Sequence, residues 1–320
     1  MDKLDKQIST PLLALKLPLP IFEYLLSIPG NFFGSCSFTV VTCPALIAIC
    51  LDGKIHWNHW YALVGMLVVC NLAIWLHVLS PDNKKSSSSR FAKKLFYGPL
   101  VSAMSPLIGI ALLKYAPPTS SISNNARQMG YFQMCAWSIG VIPASILKPF
   151  VARQRPATWI NHEENATTND NKIKMLQKAA REKHISVLPK LFSKDAAVSM
   201  ASGDAAGAMA CMYPLIFVHE SSNQAKILAW ICVCLSCVGR VYWFAHHVGD
   251  VLAGVITSFF ACWILQHILC DETTCLIQWW DPLVAHGLLL VTAIVTRLMT
   301  KQRVFHSGTM RVEDKHIKDK

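Results

Sequence analysis

Three short polar clusters interrupt an otherwise apolar chain. GRVYWFAHHVGD (239–250) places Arg240, His246 and Asp250 between two apolar runs. KPFVARQRP (148–156) carries Lys148 and Arg155, and ASGDAAGAMA (201–210) opens with Ser202, Gly203 and Asp204. Charges in or beside hydrocarbon cost roughly 2.5–3.5 kcal/mol each on insertion scales, so a partner must offset them. Three cations around one spot are a poor arrangement unless an anion joins them. Arginine forks match phosphate oxygens and lysine adds a point charge. Ser202 and Gly203, at the expected start of a helix, offer backbone N–H groups, a favourable dipole, a hydroxyl and room for close approach. His246 and Asp250 are four residues apart and share a face if the stretch is helical. The aspartate can then fix the imidazole tautomer and leave the other nitrogen free to attack. His247 cannot point the same way. This inventory suits phosphoryl transfer through a phosphohistidine.

Simpler readings exist for each residue alone. Arg240 could be a helix-end cation reaching the interface, and His246 an ordinary packed histidine. His246, His247 and Asp250 could bind a metal, but only two readily share a face and no nearby cluster supplies further ligands. No metal and no other cofactor is expected.

The elements that must position these groups are membrane helices. The chain has 320 residues, 53% hydrophobic and only 15% charged, against about 25% charged for a soluble protein. Its mean hydropathy is +0.36. Eight apolar segments approach the roughly 20 residues needed to cross a bilayer, near 33–51, 59–80, 95–114, 130–147, 204–219, 226–244, 248–269 and 282–299. The fold class is therefore an all-α polytopic membrane helix bundle. Proline-broken 17–33 suits an interfacial or re-entrant segment better than a span. The longest loop, about 149–200, includes a basic amphipathic stretch (173–184) suited to anionic lipid or to solvent.

Eight crossings put both termini and all three clusters on one side. That side holds 26 of the 30 Lys and Arg residues; the other has only Lys54, Lys114, Arg127 and Lys226. Excess positive charge marks the cytosolic side, so the net charge of +11 needs no nucleic-acid partner. Asn165, in a glycosylation sequon, should then carry no glycan. Most of the 12 cysteines lie in apolar runs and read as small hydrophobes. Cys270 and Cys275 sit in a loop and could pair if that loop is lumenal.

Lys-x6-Arg-Pro, then Ser-Gly, then Arg-x5-His-x3-Asp, in this order, resembles the type 2 phosphatidic acid phosphatase/haloperoxidase superfamily. The resemblance covers Lys148–Asp250 directly and implies a six-helix membrane core, with 33–51 and 282–299 as extra spans. The implied divisions are an interfacial segment (1–32), an added span (33–58), the core (59–270), a second added span (271–300) and a basic polar tail (301–320). By the same resemblance Lys148, Arg155, Ser202, Gly203 and Arg240 would hold phosphate, His246 would be the nucleophile, and Asp250 would orient it. Relatives work without a metal on lipid phosphates or diphosphates and on sugar phosphates, and soluble relatives bind vanadate. The family's second motif normally reads Pro-Ser-Gly-His, whose histidine protonates the leaving oxygen; here the residue is Asp204. A carboxyl with raised pKa could serve as that acid, whereas three nearby cations would keep it ionised.

The expectation is a membrane phosphatase acting on a lipid phosphate or diphosphate, in the endoplasmic reticulum or another endomembrane, with its site facing the cytosol. The alternative is a non-catalytic relative that binds lipid phosphate or a partner protein. A transporter would carry charges in mid-span rather than at span ends.

Overall fold

The computed structural model describes residues 2–23, 25–26, 99–114, 124–151, 153, 155–157, 171–183, 199–218, 221–271 and 275–318, the last stretch as backbone alone from 300 on. The expected spans 33–51 and 59–80 lie outside these residues, as do Asn165 and most of the longest loop. The described chain is all helical, with one isolated β-bridge between Cys270 and Cys275.

Its helices are α1 (Asp2–Ala14), α2 (Pro99–Lys114), α3 (Asn124–Val151), α4 (Asn171–Glu182), α5 (Gly203–Tyr213), α6 (Asn223–Tyr242), α7 (Val248–Leu269) and α8 (Asp281–Lys318). Helix α5 runs on into a π-helical turn, Pro214–Val218. Among the described residues four segments are long and apolar enough to cross a membrane: Ala126–Val151, Asn223–Tyr242, Val248–Leu269 and Asp281–Met299. Gly203–Val218 is a shorter apolar helix. Helix α8 does not stop at the expected polar tail but continues to Lys318, and no proline interrupts 301–318.

The bundle is built inside out relative to a soluble protein. On α7, Val251, Gly254, Ser258 and Cys262 face inward, while Leu252, Ile256, Phe260 and Ile264 are exposed. Small residues inside let backbones approach, and large apolar ones outside suit lipid. Helix α3 lies at the centre against α5, α7 and α8. Its middle residues Phe132, Met134, Cys135, Ala136 and Trp137 are buried in the main core. The Ala- and Gly-rich α5 is buried along most of its length. It is tied to α7 by Ser258 Oγ, which donates to the Ala206 carbonyl at 2.8 Å. Gly254 marks the closest approach, because a Cβ there would collide with the Ser202 carbonyl.

The helices alternate in direction, so the C-terminal ends of α3 and α6 and the N-terminal ends of α5 and α7 share one end of the bundle. At the opposite end Gln128 Oε1 accepts from the Ile277 N–H at 3.0 Å, and Cys270 and Cys275 form a disulfide. The 22 residues of α7 separate the two ends by about 33 Å at 1.5 Å per residue, the thickness of a bilayer's apolar core.

The amphipathic stretch of the long loop forms α4, whose Ile173 and Leu176 are buried. It packs on α1. The loop's two ends meet where the Ser199 N–H donates to the Arg153 carbonyl at 2.6 Å. Just beyond α4, Lys183 donates to the Tyr242 carbonyl and lies 3.5 Å from the Tyr242 ring centre and 4.5 Å from that of Phe244. Burial pushes its ammonium down to about 7, partly opposed by Glu23. Lys183 thus fastens this segment to the turn that follows α6.

Candidate active site

Helix α6 ends at Tyr242 with Arg240 in its last turn, where a cation complements the dipole. The chain then turns sharply: Phe244 takes a positive φ of 58°, rare for a bulky residue. This turn brings the Ala245 and His246 N–H groups back to the Arg240 carbonyl, at 3.1 and 3.2 Å. Arg240 and His246 are therefore held together through the backbone, and both are buried.

The expected shared helical face of His246 and Asp250 is corrected by the structure. His247 is the N-cap of α7, so His246 lies before the helix and not on it. The Asp250 carboxylate accepts the His247 N–H at 2.8 Å, as an acidic residue at the third helical position does in a capping box. It also accepts the Ser199 hydroxyl and, at 3.1 Å, Arg153. The hydrogen bond on His246 joins its Nδ1 to the Ser199 carbonyl at 2.8 Å. A carbonyl only accepts, so Nδ1 carries the proton and Nε2 keeps its lone pair. Asp250 thus reaches His246 through Ser199 rather than directly.

Ser202 is the N-cap of α5; its hydroxyl accepts the Ala205 N–H at 3.3 Å, and its own N–H donates to the Asp250 carbonyl at 2.9 Å. The position of a Cβ on Gly203 would lie 3.6 Å from Lys148 Nζ, so the amine from the end of α3 stands directly over the start of α5. Burial, then Arg155, Arg240 and Lys148 in that order, hold the His246 imidazole well below its ordinary pKa. Arg155 is itself pushed down to about 10 by burial, with Asp204 opposing and Arg240 adding to the shift; it remains a cation at neutral pH. Asp204 forms an ion pair with Arg240. All eight expected residues therefore stand at one end of the bundle: three cations, one helix N-terminus, one neutral histidine and two carboxylates. Such a set can bind a tetrahedral oxyanion beside a nitrogen nucleophile.

Among the described residues no group of three or more His, Cys, Asp or Glu side chains is arranged to hold a metal ion. Sequence reasoning missed Ser199, Arg153 and Asp5. Ser199 lies three residues before Ser202, and Arg153 stands within the first cluster, where a third cation should have prompted a search for its anion. Asp5 gave no local signal.

Residues 131–273 match the family model of the PAP2 superfamily. Neither a curated protein nor a solved structure matches the chain. The matched segment contains all three polar clusters in the family's order, and they fold to one end of an all-helical bundle. By this match the segment from 131 to 273 is similar to the PAP2 superfamily.

Proposed function

We propose that this protein is a membrane phosphatase that hydrolyses a lipid phosphate or diphosphate through phospho-His246. The observation that carries the reading is the convergence of Lys148, Arg155 and Arg240 on a buried His246 whose Nε2 is free, beside the N-terminus of α5. These cations and the Ser202–Gly203 turn hold the phosphate oxygens and stabilise charge in the transition state. His246 Nε2 attacks phosphorus, forming a P–N bond as the P–O bond to the lipid breaks. Protonated Asp204 gives its proton to the leaving oxygen. Water then attacks phosphorus, its proton passes to the Asp204 carboxylate, and the P–N bond breaks to release phosphate. A lipid substrate fits a site at the end of membrane-crossing helices, with no sizeable described domain outside them to enclose a sugar. The disulfide at the far end of the bundle supports a lumenal Cys270–Cys275 loop, because such bonds persist in oxidising compartments. It thereby favours a cytosolic site in an endomembrane.

A second reading is favoured by the Asp204–Arg240 ion pair, which fills one phosphate-binding cation with an internal anion. On that reading the protein binds lipid phosphate without turning it over. A phosphate-release assay in detergent, from pH 4 to 8, decides between them. The substrates are phosphatidate, lysophosphatidate, sphingoid-base phosphates and polyprenyl diphosphates, with His246→Ala as the blank. Release above the blank is expected for at least one lipid; none on any substrate would leave the binding reading.

A further inference from the structure

The N-terminal helix lies far outside the segment that matches the family, yet it bonds directly to the start of α7 and to Arg153 beside the candidate active site. Helix α7 begins with backbone N–H groups that its own turn cannot satisfy. Two of them are taken by α1: Val248 N–H donates to Ser9 Oγ at 3.0 Å and Gly249 N–H to Asp5 Oδ1 at 2.9 Å. Ser9 also donates to Asp5, at 3.3 Å. The fit leaves no spare volume, because a Cβ on Gly249 would lie 2.5 Å from Asp5 Oδ2. The same Asp5 oxygen accepts Arg153 Nη1 at 2.5 Å, and that nitrogen also reaches Asp250 Oδ1 at 3.1 Å. The other Asp250 oxygen holds the Ser199 hydroxyl, and the Ser199 carbonyl holds His246 Nδ1.

We propose that α1 is a working part of this site: Asp5, through Arg153 and Asp250, positions the Ser199 segment and with it the His246 nucleophile. This rests on the reading of His246 given above. The charges alternate along the path, negative at Asp5, positive at Arg153 and negative at Asp250. Burial alone would raise the Asp5 carboxyl. The Arg153 hydrogen bond, the Gly249 N–H and the charges of Arg153 and His247 outweigh it and hold the group below its usual range. Asp5 is therefore held as a carboxylate at neutral pH. Without it Arg153 has lost the carboxylate on its far side and draws Asp250 Oδ1 toward itself, at the expense of the Ser199 hydroxyl on the same carboxylate. Asp5 touches neither phosphate nor the reacting atoms, so it is a positioning residue. Of the three phosphate-binding cations, Arg240 pairs with Asp204 and Lys148 stands over Gly203.

The test uses the full chain in detergent and compares Asp5→Asn, Asp5→Glu and a control on the exposed side of the same helix, Gln7→Ala. Turnover of the best lipid substrate in Asp5→Asn is expected to fall on the order of tenfold to a hundredfold, as misplaced reacting groups do, with KM unchanged. Asp5→Glu is expected to recover part of the loss, and Gln7→Ala to behave as wild type. Independently of turnover, the affinities for orthovanadate and inorganic phosphate are measured. Orthovanadate adopts the five-coordinate geometry of attack at phosphorus and needs an aligned His246, whereas phosphate needs only the cations and the Ser202–Gly203 turn. Asp5→Asn is expected to weaken orthovanadate and leave phosphate unchanged. Unchanged turnover and orthovanadate affinity in that variant would overturn the proposal. So would equal weakening of both anions together with a lower melting temperature, which would reduce α1 to a scaffold. A wild type that releases no phosphate yet keeps the contrast between the two anions refutes phosphatase activity and leaves the positioning role standing. A wild type that binds neither anion sinks both.

Discussion

Burial and three neighbouring cations keep the His246 imidazole neutral at pH values where a solvent-exposed histidine would be half protonated. Its folded pKa is depressed, so the nucleophilic form survives as pH falls and is lost only well below the usual value of 6.5. The acid limb of kcat/KM should lie correspondingly low. Asp204, which pairs with Arg240, must carry a proton to protonate the leaving oxygen, so the proposed mechanism gives more turnover at acidic pH. Asp204→Asn should cut turnover about 10²- to 10⁴-fold, the usual worth of a general acid; turnover equal to wild type across the pH range would remove Asp204 from the mechanism. Arg240, Ser202 and Gly203 were legible in the sequence because each marks a helix end, and helix ends are local events. The Asp250–Ser199–His246 linkage was not. It depends on a turn at Phe244 that shifts His246 off the helix, and on a serine brought in from 47 residues away.

At the scale of elements, the site depends on how closely α5 and α7 approach. Gly254→Ala places a methyl group against the Ser202 carbonyl and must push the start of α5 away from Asp250. Overpacking of this kind costs about 1–3 kcal/mol, so a lower melting temperature in detergent and a loss of phosphate release are expected. Gly287→Ala on α8 is the matched control, because a Cβ there meets nothing within 4 Å. A Gly254→Ala protein as stable and active as the control would show that this contact relaxes freely. The spans containing α3, α6 and α7 were legible because a run of about 20 apolar residues has few other uses. The partners of α1 were not, since the first 14 residues are too polar to signal a span and their contacts lie some 240 residues along the chain.

The whole molecule has two chemically different ends. One gathers the cations, the carboxylates and α1; the other has the disulfide, with Trp279 and Trp280 beside it as interfacial aromatics tend to be. The proposed orientation, with the disulfide end lumenal, rests on this asymmetry together with the charge split. Expressed in cells, the protein should show no endoglycosidase-sensitive mass at Asn165, and a membrane-impermeant thiol reagent should label Cys270 and Cys275 only after reduction from the lumenal side. A glycan at Asn165 would invert the topology. Helix α7 runs between these ends and is pinned at each, by Asp5 and Ser9 at its start and by the Cys270–Cys275 link just past its end. Ser258 also fastens its middle to α5. So anchored, α7 is the anvil of the bundle, and on the proposed function the motion that admits a head group and lets phosphate leave belongs to the elements that face it.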